Sequence, residues 1–252
     1  MKKKLVGLYF KMMSKTFRAS AGVSVRYALK KKRAHDTLVI VFSAFSRPGI
    51  PATYNYMATT KEIPADRLFI LDDFGYNKQG GYYLFHEGSR APEQAVTELI
   101  EHVMEREKYR QIVCVGTSKG GYAALYYGLK MKANAVVAGA PQYFLGNYLT
   151  DIPEKKPTFE GMVGGKEKYS VAYLNRLLTE KIKEKPRFPI QFYVHYSRNE
   201  HTYEEHITDL IKDLKAGGYK VILDEQKYLK HQEVAYYFPP FLQKTLKEIV
   251  KG

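Results

Sequence analysis

The chain has 252 residues, 45% of them hydrophobic, which is enough for one substantial core, and the α/β classes commonly reach this length as one domain. Its only cysteine, Cys114, excludes an intrachain disulfide and fits a reducing compartment. The net charge of +14, with basic clusters at 2–4, 30–33 and 181–185, would draw an anionic polymer, a membrane surface or nucleic acid; with no nucleic-acid-binding signature, no specific nucleic-acid partner is expected, and a solvated lysine-rich surface is the plainer reading.

The apolar stretch at 5–10 is broken by Lys11 and followed by no small-residue cleavage site, so it reads as neither a signal peptide nor a membrane span. A soluble cytoplasmic protein is expected, with residues 1–252 forming a single domain. Residues 23–29 and 37–42 read as early strands, the first pairing with 5–10, and 67–71 is a further apolar run followed by Asp72 and Asp73. Pro92 opens a helix with Val96, Leu99, Ile100, Val103 and Met104 on one stripe; proline costs little there because its missing N–H would have no helical partner.

Residues 112–115 form a short apolar strand, and a helix follows at 122–129 and a strand at 135–138. The pattern loosens over 142–189, a span holding Pro153, Pro157, Gly161, Gly164 and Gly165 and one helix at 170–184; inserted segments of this length often serve as lids or caps. Alternation returns with a strand at 190–196, a helix at 203–216 ended by Gly217 and Gly218, a strand at 221–223 and a last helix at 239–250. Strands alternating with helices in this way predict an α/β fold, a mostly parallel central sheet with helices on both faces.

Between the strand at 112–115 and its following helix lies Gly116-Thr117-Ser118-Lys119-Gly120-Gly121, which contains GxSxG in the strand–turn–helix setting that the nucleophile elbow needs. The serine sits in a strained turn, and the glycines let neighbouring backbone pass where a Cβ would collide. A bare GxSxG also arises as an ordinary glycine-rich turn, so the partners matter. In this fold the acid and then the histidine follow the serine along the chain. His231, in a loop before the final helix, is the only histidine after the last strand, and Glu200 stands just beyond the strand at 190–196. Glu204, Glu205 and Asp224 are the rival acids. The oxyanion hole would take the backbone N–H of Lys119 and a second from the loop after the strand at 37–42, with Ala44 or Phe45 as the donor.

His195, His201 and His206 lie close in sequence, but no HExxH or paired-cysteine pattern supports a metal, and none is expected. Tyr54, Tyr56, Tyr76, Tyr82 and Tyr83 fall in loops where their rings would either stack on a sugar or acyl group or simply pack.

Residues 37–250 resemble the α/β-hydrolase superfamily. The stretches GTSKGG, YSRNEHTYEEH and YLKHQEV are more particularly similar to an accessory Sec-system and capsule-biosynthesis branch of bacterial hydrolase-like proteins. That resemblance implies a Ser–Glu–His set at Ser118, Glu200 and His231 and work on esters of cell-surface glycans. The expected activity is a serine carboxylic-ester hydrolase needing no metal or organic cofactor. An O-acetyltransferase, or a non-catalytic scaffold in secretion or capsule assembly, are the alternatives.

Overall fold

The structure is a computed structural model that describes residues 14–32, 36–46, 50–165, 169–184 and 189–251. Its eight strands form one sheet in the order β1-β2-β4-β3-β5-β6-β7-β8. They are β1 (Lys15–Arg18), β2 (Ser24–Lys30), β3 (Thr37–Phe42), β4 (Asp66–Ile70), β5 (Gln111–Thr117), β6 (Ala135–Gly139), β7 (Gln191–Ser197) and β8 (Lys220–Gln226). The strands from β3 to β8 run parallel, while β1 and β2 form an antiparallel edge.

The central strands read as continuous apolar runs because both of their faces are covered. On β3, Leu38, Ile40 and Phe42 join one buried cluster and Val39 and Val41 the other; on β5, Ile112 and Cys114 oppose Val113 and Val115 in the same way. The first cluster is completed by α1 (Ala91–Glu107), α2 (Lys119–Lys130), α3 (Leu145–Asp151), α5 (Val171–Lys183) and α6 (Thr208–Ala216), together with α4 (Lys156–Val163). The second is covered by α7 (Val234–Lys251), whose Val234, Phe238, Leu242 and Leu246 recur at helical spacing. No helix among the described residues is long and apolar enough to cross a membrane.

The structure departs from the sequence reading in three places. The edge partner of β2 is the short, polar KTFR segment at Lys15–Arg18, which has no hydrophobic alternation to mark it; the expected partner at 5–10 lies outside the described residues. Among its described residues the span 142–189 carries three α-helices rather than one, and Leu145, Leu149, Met162, Leu174 and Leu178 pack into the first cluster. The last helix begins at Val234, so Pro239 and Pro240 lie inside it instead of opening it. Its start follows from the turn before it, where Glu233 Oε2 accepts the N–H groups of Leu229 (2.9 Å) and Lys230 (2.8 Å).

Candidate active site

Three loops at the C-terminal ends of parallel strands converge on Ser118, the position where open α/β sheets place their ligands. Ser118 joins β5 to α2 with φ 51° and ψ −123°, a conformation disfavoured for a side chain bearing a Cβ and one that persists only when its surroundings enforce it. Its N–H donates to Gly139 O at 2.8 Å. A Cβ at Gly116 would stand 2.2 Å from Gly120 O, and one at Gly120 would stand 2.4 Å from Phe42 O. The turn therefore closes only with glycine on both sides of the serine. Gly120→Ala is expected to cost about 1–3 kcal/mol, read by urea denaturation, because the end of β3 must shift to admit the methyl group.

The three residues expected from sequence meet. His231 Nε2 lies 2.8 Å from Ser118 Oγ, and His231 Nδ1 lies 2.8 Å from Glu200 Oε1. Glu200 is buried at the end of the turn after β7, where Thr202 Oγ1 donates to its Oε2 at 2.5 Å. Burial by itself would raise the Glu200 carboxyl; the hydrogen bond and charge of His231, the Thr202 hydroxyl and the nearby His201 outweigh it and hold the group below the ordinary carboxylate value. A depressed folded-state value adds stability that is fully present above the unfolded carboxylate range and is lost as pH falls through the folded value. Wild-type chain should therefore lose thermal stability on acidification more steeply than Glu200→Gln, a difference readable as the slope of Tm against pH below about 5.

The loop bearing His231 is held on both sides. Ser197 Oγ donates to Tyr228 O at 2.6 Å, and Glu233 caps the turn after it. Of the rival acids, Asp224 Oδ2 pairs with His195 Nδ1 at 2.6 Å, and Glu204 and Glu205 are exposed in a single π turn, Tyr203–Ile207. The histidines weighed as metal ligands do not converge, and no group of three His, Cys, Asp or Glu side chains among the described residues could hold a metal ion. His206 is buried beside Phe144 and Tyr148, and that burial, followed by the charge of His201, pushes its imidazole down to about 4.

The Lys119 N–H heads α2, where no intrahelical acceptor exists, and no described residue accepts it. Of the two candidates for a second donor, Ala44 is corrected: its N–H donates to Asn55 Oδ1 at 2.9 Å and is not free to bind an oxyanion. Phe45 is the one that remains. The Lys155 ammonium, from the inserted span, sits 4.1 Å above the Phe45 ring centroid. Among the tyrosines, Tyr82 and Tyr83 are wholly buried, Tyr54 is nearly so and Tyr56 bonds Thr117 Oγ1 at 2.7 Å, so packing accounts for four of the five, and Tyr76 alone is exposed.

Two features were not visible in the sequence. Lys119 turns its side chain inward to a fully buried ion pair with Asp72, Nζ to Oδ2 2.7 Å. Gln142, also fully buried, places Nε2 3.0 Å from Ser118 Oγ. The only signal for Gln142 was its place just past the C-terminal end of a parallel strand.

Residues 60–233, a span that includes Ser118, Gln142, Glu200 and His231, match the family described as the accessory Sec system GspB-transporter. The chain belongs to this accessory Sec family. It is 23% identical over 135 residues to an accessory Sec system protein of Staphylococcus aureus, a match covering 48% of this chain and 26% of that protein, so it spans about a quarter of the length of this relative. Among solved structures, the capsule O-acetyltransferase of Neisseria meningitidis serogroup A superposes with a TM-score of 0.71 at 18% identity, covering 96% of this chain and 99% of that one. A glycosylation-associated protein complex (Gap123) from Streptococcus agalactiae gives a TM-score of 0.75 at 16% identity, covering 95% of this chain and 47% of that one. The fluorophosphonate-binding serine hydrolase F of Staphylococcus aureus gives 0.68 at 12%, covering 94% and 97%. This member of the accessory Sec family thus has the α/β-hydrolase fold, shared here by serine hydrolases and an acetyltransferase.

Proposed function

We propose that this accessory Sec family member is a serine carboxylic-ester enzyme that works through an acyl group on Ser118 and removes acetyl groups from a glycan or a small ester. The observation that carries the reading is the unbroken chain from Ser118 Oγ through the His231 ring to Glu200, with 2.8 Å at each link, at a strained strand-to-helix turn. His231 Nε2 takes the hydroxyl proton as Oγ bonds to the ester carbonyl carbon, and the carbonyl π pair moves onto oxygen, facing the N–H groups of Lys119 and Phe45. Collapse restores the carbonyl and breaks the bond to the alcohol oxygen, which receives the proton from His231. Water then gives a proton to His231 and attacks the acyl-serine; the second collapse returns both the electron pair and the proton to Oγ and frees the carboxylic acid. Glu200 holds the Nδ1–H tautomer and stabilises the charged ring between these transfers.

A second reading replaces water by a sugar hydroxyl, giving an O-acetyltransferase. It is favoured by the likeness to the capsule O-acetyltransferase over nearly the whole of both chains. The net charge of +14 supports contact with an anionic polymer or membrane surface beside the acyl substrate.

The test is a fluorophosphonate probe followed by product analysis. The wild-type chain is expected to label and to release acetate from p-nitrophenyl acetate. Acetate release that persists unchanged when a glycan acceptor is added supports hydrolysis, and acetylated glycan in its place supports transfer. A folded chain that neither labels nor turns over short-chain or long-chain p-nitrophenyl esters overturns both and leaves a non-catalytic component of an assembly.

A further inference from the structure

Ser118 Oγ carries a hydrogen bond that the Ser–His–Glu chain does not account for: Gln142 Nε2 stands 3.0 Å away. Which end of the carboxamide faces the serine follows from the other partners. The Glu200 carboxylate can only accept, so His231 carries its proton on Nδ1 and its bare Nε2 must accept in turn. The Ser118 hydroxyl proton is thereby committed to Nε2, and what remains on Oγ is lone pairs. Only the NH₂ end of Gln142 can bind them. The far end agrees, since Tyr82 OH can donate to Gln142 Oε1, a long contact at 3.4 Å.

The backbone also fixes Gln142. Ala140, two residues before it, is held at φ 40° while its N–H donates to His195 O at 2.8 Å. Gly121 of α2 packs closely under Pro141, where a Cβ would lie 3.1 Å from Pro141 Cβ. A non-glycine residue at positive φ persists only where the surroundings enforce it, and here it aims a buried amide at the reacting oxygen.

We propose that Gln142 is a further catalytic residue, whose side-chain N–H binds the nucleophilic oxygen itself and fixes the direction in which its proton points. The proposal rests on the reading of Ser118 as nucleophile. In the resting state the bond leaves the hydroxyl one productive orientation, toward His231. As the proton passes to His231 Nε2 and negative charge builds on Oγ, the hydrogen bond that Gln142 Nε2 donates to Oγ strengthens. In the second collapse the same N–H supports Oγ as the C–Oγ electron pair returns to it. This donor is separate from the backbone amides that face the carbonyl oxygen, so it acts on the attacking and leaving atom.

The experiment compares wild type with Gln142→Leu and Gln142→Glu in fluorophosphonate inactivation rate and in kcat and KM for p-nitrophenyl acetate at mildly alkaline pH. Gln142→Leu is expected to slow inactivation and kcat together by on the order of 10- to 100-fold, with KM nearly unchanged, as for a lost preorganised donor. Gln142→Glu is expected to be slower still, because a carboxylate competes with His231 for the hydroxyl proton. Circular dichroism melts check that each variant folds, and Gln142→Met carries the same comparison if leucine does not. Wild type that labels while a folded Leu or Met variant labels within about twofold of it overturns the role of Gln142 and leaves the nucleophile standing. Wild type that fails to label overturns the nucleophile, and this proposal with it.

Discussion

Replacing Ser118 by alanine should remove fluorophosphonate labelling completely and lower ester turnover by on the order of 10³- to 10⁶-fold, the range that loss of a nucleophile gives in other triad enzymes. Among the described residues, the buried hydroxyl is the only group that both accepts from Gln142 and reaches His231 Nε2, so none of them replaces it. His231→Ala should cost about as much. Combining the two should cost little more than either alone, because a nucleophile without its base and a base without its nucleophile are equally idle. Glu200→Gln should be milder, about 10⁴-fold or less: its carboxamide oxygen can still accept from Nδ1, but the charge that stabilises the protonated ring is gone. Additive losses across the three positions would show that they do not act as one unit, and the acyl-serine mechanism would fall.

The elbow could be read from sequence because its constraint is steric and local. A side chain at Gly116 or Gly120 would strike backbone 2.2 or 2.4 Å away, so the pattern GxSxG directly records the shape of the turn. Glu200 and His231 were found through the order imposed by a parallel sheet, in which each strand end delivers its following loop to the same edge. What sequence could not give was the pairing of side chains across that edge. Nothing in the local pattern tells that Asn55 consumes the Ala44 amide, that Asp224 turns to His195, or that Gln142 turns toward Ser118. Polar residues in loops look alike until their neighbours from distant segments are known. The prolines of α7 favour a first turn locally, but the turn fixed by Glu233 from outside that pattern places the start earlier.

The largest effect on stability should come from the ion pair beneath the elbow. Lys119 and Asp72 are both fully buried, with Nζ 2.7 Å from Oδ2. Burial pushes the Lys119 ammonium below the ordinary lysine value, with Asp72 pulling the other way. Asp72 does more than neutralise it, because Oδ1 accepts from Gly81 N at 3.0 Å and Oδ2 from Tyr83 N at 3.2 Å. Tyr83 OH in turn accepts from Ser43 N at 2.6 Å and donates to Ile70 O at 3.1 Å, so the carboxylate anchors the strand end that leads to Phe45. Asp72→Ala strands an ammonium and two backbone donors in the interior and should cost about 3–5 kcal/mol in urea denaturation. Lys119→Met leaves the carboxylate with two donors and should cost less. The double variant Asp72→Leu, Lys119→Met should be more stable than the sum of the single losses, since no charge is left buried without a partner. A cost below about 1 kcal/mol for Asp72→Ala, the size of an exposed pair, would mean that this link does not hold the elbow and the Phe45 loop together.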